Sequence, residues 1–250
     1  MSATAAPPAT LVPRLAVHGL TVRFGGLTAL ADVSLHVDEG EVVGLIGPNG
    51  AGKTTLFNAV CGLVAPTAGT VSFGGTGGPR APRPSRLVGH GVARTLQGLG
   101  LFAGLSVLEN VVAASPERHA AERTRAAQER LDDLGIGHLA AVRPTTLPYP
   151  EQKKVALARA LVSRPGLLLL DEPAGGLGSD DIAELATLVR RVASSGCAVL
   201  LVEHHVDFVM SVCDRVVVLD FGRVIASGTP ADVRDDPAVE EAYLGTEVDR

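Results

Sequence analysis

The stretch Gly47-Pro48-Asn49-Gly50-Ala51-Gly52-Lys53-Thr54-Thr55 constrains this chain more than any other feature. The apolar run Val42-Val43-Gly44-Leu45-Ile46 leads into it, and Leu56-Phe57-Asn58-Ala59-Val60 follows. That order predicts a buried strand, a glycine-rich loop and a helix. The pattern G-x-x-x-x-G-K-[ST] in this context is a phosphate-binding P-loop. Its glycines let successive backbone NH groups curl around an anion, and the helix adds its positive N-terminal end. Lys53 is then placed to reach the β- and γ-phosphates, and Thr54 to offer a hydroxyl to a Mg²⁺ ion bridging them. Thr55 can donate to an α-phosphate oxygen. The chain reads as a nucleotide-binding protein.

With 250 residues the chain can bury a sizeable core as one α/β domain carrying a small subdomain. A net charge of -5 argues against a general nucleic-acid binder, so no nucleic-acid partner is expected. Cys61, Cys197 and Cys213 lie in apolar surroundings without paired or ligand-like spacing. They read as small buried hydrophobes in a reducing compartment rather than as a disulfide or metal set. The longest apolar runs, such as Leu167 to Leu170 and Ala198 to Val202, have the length of buried strands and fall far short of a membrane span. Residues 1–13 lack the charged and apolar regions of a signal peptide and read as a disordered tail.

Along the chain, 15–18, 20–24 and 33–37 are rich in β-formers and predict an antiparallel region, with Asp38-Glu39-Gly40 turning into the P-loop strand. Another strand is expected at Thr70-Val71-Ser72-Phe73. Residues 74–86, with four Gly, three Pro, three Arg and no acid, read as a flexible loop. From Ser106 to about Arg143 the composition turns to Ala, Glu, Arg and Leu at helical spacing, and Ser106 with Glu109 forms a capping box. These features predict a small helical subdomain, about 93–154, set into an α/β core of about 14–92 and 155–250. In the second core segment, helices at 151–162, 180–193 and 206–213 alternate with strands at 167–170, 197–202, 215–220 and 223–227. Continuous apolar strands alternating with helices imply a mostly parallel sheet covered on both faces.

The strand Leu167-Leu168-Leu169-Leu170 ends in Asp171-Glu172-Pro173. Two carboxylates at the end of an apolar strand are unfavourable unless something pairs with them. A nucleotide-bound Mg²⁺ would do so through Asp171, leaving Glu172 to polarise the attacking water as a general base.

Two further residues gain meaning from their order in the chain: Gln97 in Ala93-Arg94-Thr95-Leu96-Gln97, and His204 in Leu201-Val202-Glu203-His204-His205. The succession of P-loop, Gln, strand-Asp-Glu and strand-His resembles the ATP-binding cassette ATPases from Leu15 to Gly245. Within them the chain is most similar to the branched-chain amino acid importer subfamily. The segments that carry the likeness are 23–30, 91–97, 107–111 and 228–245.

That resemblance implies an α/β P-loop NTPase fold and an ATPase that drives transport by ATP-dependent closure of two subunits, with ATP and Mg²⁺ as its ligands. It implies that Phe24 stacks on adenine, that Gln97 senses the γ-phosphate and Mg²⁺ where membrane subunits dock, and that His204 contacts the γ-phosphate, with His205 incidental. Ala174-Gly175-Gly176-Leu177-Gly178 would cross to a second ATPase subunit. Partners would be integral membrane permeases and a second ATPase subunit, expected to be a different chain with a second copy of this one as the alternative, at the cytoplasmic face of the membrane.

One segment departs from the family. Leu147-Pro148-Tyr149-Pro150-Glu151-Gln152 stands where the family has its signature segment Leu-Ser-Gly-Gly-Gln, which the resemblance implies holds the γ-phosphate bound to the opposite subunit. The subfamily often has Pro-Tyr at the second and third positions but keeps a glycine where this chain has Pro150. Proline has no NH, although the first turn of a helix tolerates it. Unequal nucleotide sites follow from this, or, as an alternative, a regulatory nucleotide-binding module that hydrolyses weakly. The transported solute cannot be read, because such a subunit does not touch it.

Overall fold

The computed structural model describes residues 12–78, 83–96 and 98–244, so Gln97 and nearly all of the expected tail lie outside it. Two sheets organise the chain. The first is antiparallel, in the order β2-β1-β4-β5, built from β1 (Leu15–Phe24), β2 (Leu27–Val37), β4 (Ala68–Phe73) and β5 (Thr76–Gly78). The second follows the order β10-β9-β3-β8-β7-β6, built from β3 (Val42–Ile46), β6 (Val92–Arg94), β7 (Leu167–Asp171), β8 (Ala198–Val202), β9 (Arg215–Asp220) and β10 (Arg223–Gly228). Its strands run parallel except for the antiparallel edge strand β10.

Side-chain alternation explains why the parallel strands read as unbroken apolar runs. In β7, Leu167 and Leu169 face the core shared with the antiparallel sheet, while Leu168 and Leu170 face the helices. In β8, Ala198, Leu200 and Val202 take the first side and Val199 and Leu201 the second. Both faces are buried, so neither position tolerates a polar residue. Helix α1 (Lys53–Val60) fills the space between the sheets, and its fully buried Phe57 alone contributes roughly 1.5–3 kcal/mol by burial.

The helical face carries α2 (Val107–Val112), α3 (Ala120–Asp133), α4 (Tyr149–Leu161), α5 (Ser179–Ser194), α6 (Val206–Val212), α7 (Pro230–Arg234) and α8 (Pro237–Leu244). The expected capping box opens α2. The Ser106 hydroxyl accepts from Glu109 N at 3.2 Å, and the Glu109 carboxylate accepts from Ser106 N at 2.7 Å. Buried Asn110 then closes the loop before it, accepting from Phe102 N at 2.8 Å and donating to Phe102 O and Ser106 O. Helix α6 packs directly on β3 because residue 44 is glycine: a Cβ there would lie 2.8 Å from the Cys213 sulfur.

Two details depart from the sequence reading. The β1 segment is one strand rather than two, interrupted by a register shift at Gly19, which adopts φ +60. Thr76–Gly78 pairs with β4, so the glycine-rich stretch begins as a strand. All three cysteines are free and buried, and burial pushes the thiols of Cys197 and Cys213 up to about 11 and about 12.

Candidate functional site

The chemistry-bearing residues gather at the carboxyl ends of β3, β7 and β8, where ligands bind in open α/β sheets. The loop from Gly47 to Gly52 leaves β3 and turns into α1. Gly47 adopts φ +148, and a Cβ on it would lie 2.0 Å from Leu219 O, so only glycine fits against β9. Gly52 adopts φ +104 against Ala29 O. The β9–β10 turn braces the loop, with Gly222 N donating to Ala51 O at 2.9 Å. Helix α8 reaches it as well, where the Gly47 backbone hydrogen-bonds Tyr243.

Lys53, 6% exposed, donates its ammonium to Gly47 O at 2.6 Å and Pro48 O at 2.8 Å. Burial lowers its pKa, and the nearby Glu172 charge opposes that shift. Thr54 is exposed at the head of α1 and Thr55 half-buried, while Asn49 and Gly50 form the open rim.

Opposite the loop, β7 ends in Asp171 and Glu172. Glu172 N donates to Val202 O at 2.9 Å, and its backbone sits at φ +48, in the left-handed region that non-glycine residues rarely adopt. Such a conformation costs roughly 1–3 kcal/mol and persists where the surroundings fix it. The Glu172 carboxylate lies 2.8 Å from His204 Nε2. Glu172 and His204 are thus brought together, while exposed His205 takes no side-chain role in capping α6.

Three residues that sequence reasoning left aside complete the site. Arg94, at the end of β6, pairs with Asp171 at 2.8 Å, reaches Asn58 of α1 at 3.0 Å and lies over the Phe57 ring at 5.0 Å. Glu203, 1% exposed, accepts from Ala174 N at 2.6 Å and His204 N at 2.9 Å, so one carboxylate anchors both the loop after Glu172 and the histidine. Lys153 of α4 donates to the carbonyls of Glu172 and Pro173. A charge placed beside the segments already singled out was the only available signal, and none of the three has a motif.

In the departing segment, Pro148 is the N-cap of α4 without a side-chain cap bond, and Pro150 is its second residue. The helix forms, with Gln152 N bonded to Pro148 O at 3.1 Å, yet its first turn lacks the NH groups of both prolines. Phe24 ends β1 with 53% of its surface exposed.

The family model for the ABC transporter matches residues 30–175. A second, for the branched-chain amino acid ATP-binding cassette transporter, matches residues 223–249. The chain belongs to the ABC transporter family and is an ATPase. This ABC ATPase is 38% identical to the high-affinity branched-chain amino acid transport ATP-binding protein BraF of Pseudomonas aeruginosa, over 93% of this chain and 98% of the relative. It is 36% identical to LivG of Escherichia coli, of the same description, over 93% and 98%. The lipopolysaccharide export system ATP-binding protein LptB of E. coli is 34% identical over 92% and 97%. Among solved structures, a nucleotide-free ATP-binding cassette from an ABC transporter superposes with a TM-score of 0.83 at 28% identity, covering 92% of this chain and 98% of the other. The ADP conformation of the cassette MJ1267 gives 0.83 at 28%, covering 93% and 99%. The ABC ATPase is therefore a transporter ATP-binding subunit related to the branched-chain amino acid importer ATPases. Among its described residues no helix is long and apolar enough to cross a membrane.

Proposed function

We propose that this chain is the ATP-binding and hydrolysing subunit of an importer for branched-chain amino acids or similar small polar solutes. The observation that carries the reading is Glu172: a carboxylate fixed at φ +48, bonded to His204 at 2.8 Å, one residue beyond Asp171 and close enough to Lys53 to influence its charge. In this reading the backbone of Gly47, Asn49, Gly50, Ala51 and Gly52, beside Pro48, cradles the phosphates. Lys53 exchanges its two carbonyl partners for the β- and γ-phosphates, and Thr55 donates to the α-phosphate. Phe24, half exposed at the hairpin end, stacks on adenine.

The residues present fit a Mg²⁺ ion. Asp171 gives Oδ2 to Arg94, and Thr54 is open at the head of α1. Mg²⁺ at nucleotide sites uses one or two carboxylates plus phosphates rather than an all-protein cage, and no cluster of three His, Cys, Asp or Glu side chains occurs among the described residues. Thr54, Asp171 and Gln97 would hold the ion, which when bound neutralises charge on the bridged phosphates. Glu172 accepts the proton of the attacking water, and His204 orients Glu172 and touches the γ-phosphate.

The subunit works by ATP-dependent closure with a second, different ATPase subunit, peripheral to permeases at the cytoplasmic face of the membrane. The family likeness at residues 223–249 and the importer relatives support the solute class, whereas the LptB likeness shows that cassettes this similar serve other cargo. Residues 14–92 and 155–250 form the core of this single ATPase domain, and 93–154 its helical subdomain. Co-reconstitution with the permeases and ATPase of its gene neighbourhood, followed by ATP-dependent uptake of labelled leucine, isoleucine and valine, tests the reading. No uptake of any of the three, with uptake of another solute, would remove the solute assignment. A second reading, a regulatory module that hydrolyses weakly, is favoured by the missing NH at Pro150. ATP binding without turnover in the assembled complex would select it.

A further inference from the structure

Lys153 joins the helix of the departing segment to the loop that carries Glu172. It lies five residues into α4, whose first turn is the departing signature segment, the part the family likeness places on the nucleotide of the opposite subunit. Its ammonium nevertheless turns inward to its own subunit. It donates to Glu172 O at 3.1 Å and Pro173 O at 2.5 Å and lies 5.4 Å from the Tyr149 ring centre.

The two carbonyls it holds belong to the strained part of the site. Glu172 N is fixed by Val202 O and its side chain by His204, while its carbonyl accepts from both Gly175 N at 3.2 Å and Lys153. The next turn is fixed independently by Glu203, whose carboxylate accepts from Ala174 N. A solvent-open cleft, lined in part by Pro150, Lys153, Asp171, Glu172 and Leu177, lies beside the contact. Tyr149 packs against Gly176 in the loop after Glu172, where a Cβ would meet its ring at 3.0 Å. Helix α4 therefore touches the catalytic loop at two points, one of them charged.

We propose that Lys153 is a positioning residue for hydrolysis in its own subunit: it holds the Glu172 backbone in the left-handed conformation and so links the seat of the signature helix to the aim of the general base. The proposal rests on the reading of Glu172 given above. A displacement of α4, whose first turn faces the opposite nucleotide, shifts the Glu172 carbonyl and with it the carboxylate. Positioning losses of this kind reduce the chemical step more than substrate binding.

The test uses the complex of this chain with its second ATPase subunit in two backgrounds. In the first, the second subunit's catalytic carboxylate is removed, so turnover reports the site of this chain. There Lys153→Met lowers kcat about tenfold or more, leaves KM for ATP within about twofold, and is largely rescued by Lys153→Arg, which keeps the charged donors. In the second, this chain carries Glu172→Gln, and Lys153→Met adds no further loss to what remains. An unchanged kcat in the first background, or a loss confined to the second, would overturn the tether and assign Lys153 to the opposite site. Should Lys153→Met fail to fold, Lys153→Gln takes its place in both arms. Full turnover in a complex whose only intact site carries Glu172→Gln would remove the role of Glu172, and the proposal with it. That outcome is distinct from a Lys153 effect that is merely absent.

Discussion

Replacing Arg94 by Met removes the cation between Asp171 and Asn58 while keeping most of the side chain's apolar volume. Arg94 and Asp171 are 14% and 12% exposed at 2.8 Å, so the pair is nearly dry. Breaking a buried pair by deleting one partner costs about 3–5 kcal/mol, chiefly because the surviving charge is left without compensation. The remaining solvent access places the expected loss near the lower end, about 3 kcal/mol. For a chain of this size each kcal/mol moves Tm by about 2–4 °C, which gives a fall of roughly 6–12 °C. Arg94→Lys retains the charge but cannot reach Asp171 and Asn58 with a planar fork, and loses about 1–2 kcal/mol. Urea unfolding followed by circular dichroism measures both, and a double-mutant cycle with Asp171→Asn isolates the pair. The cycle is expected to show a coupling of about 1.5–3 kcal/mol. A loss below about 1 kcal/mol for Arg94→Met, or strict additivity in the cycle, would refute the idea that Arg94 neutralises Asp171.

The other predictions are independent of that pair. Gly47→Ala forces a Cβ to within 2.0 Å of Leu219 O, so it destabilises by about 3 kcal/mol or more and abolishes binding of a fluorescent ATP analogue. Wild-type affinity would show that the loop shifts freely. Pro150→Gly restores one NH at the first turn of α4 and raises turnover of the assembled complex by about three- to tenfold, measured as phosphate release, with no gain telling against the role of that NH. The thiols of Cys197 and Cys213 hold their protons to about 11 and about 12 in the folded chain and release them near 9 when it unfolds. Their folded pKa values are raised, so the stability they contribute is fully present below pH 9 and declines above it, by about 1.4 kcal/mol per pH unit for each thiol. Urea titrations at pH 8 and pH 10 should show this decline, and Cys213→Ala should remove about half of it.

The legible parts of this chain were those whose chemistry is local. The P-loop reads from residues 47–55 because the conformation, the anion site and the helix start lie within one turn of each other. The capping box of Ser106 and Glu109 spans three residues. Glu172 and His204 are 32 residues apart, and only the ordered succession of motifs linked them before the structure placed them at 2.8 Å. Arg94 and Asp171 are 77 residues apart and are joined through the pairing of β6 with β7, a three-residue strand too short to show a pattern. Glu203 looked like a neighbour of the histidine rather than an anchor, because its partners are backbone NH groups, which a sequence does not display. The continuation of β1 through Gly19 was hidden for a similar reason, since a glycine at φ +60 inside a strand is a bulge rather than an end.

The most direct measurement is steady-state ATP hydrolysis by the complex of this chain with its second ATPase subunit, where that subunit's catalytic carboxylate has been removed. Wild-type Glu172 is compared with Glu172→Gln, and ATP binding is followed in parallel. The account predicts that Glu172→Gln lowers turnover by about a hundredfold or more while ATP still binds, as expected for loss of a general base. Turnover retained within about threefold of wild type would contradict it, because the base would then lie elsewhere.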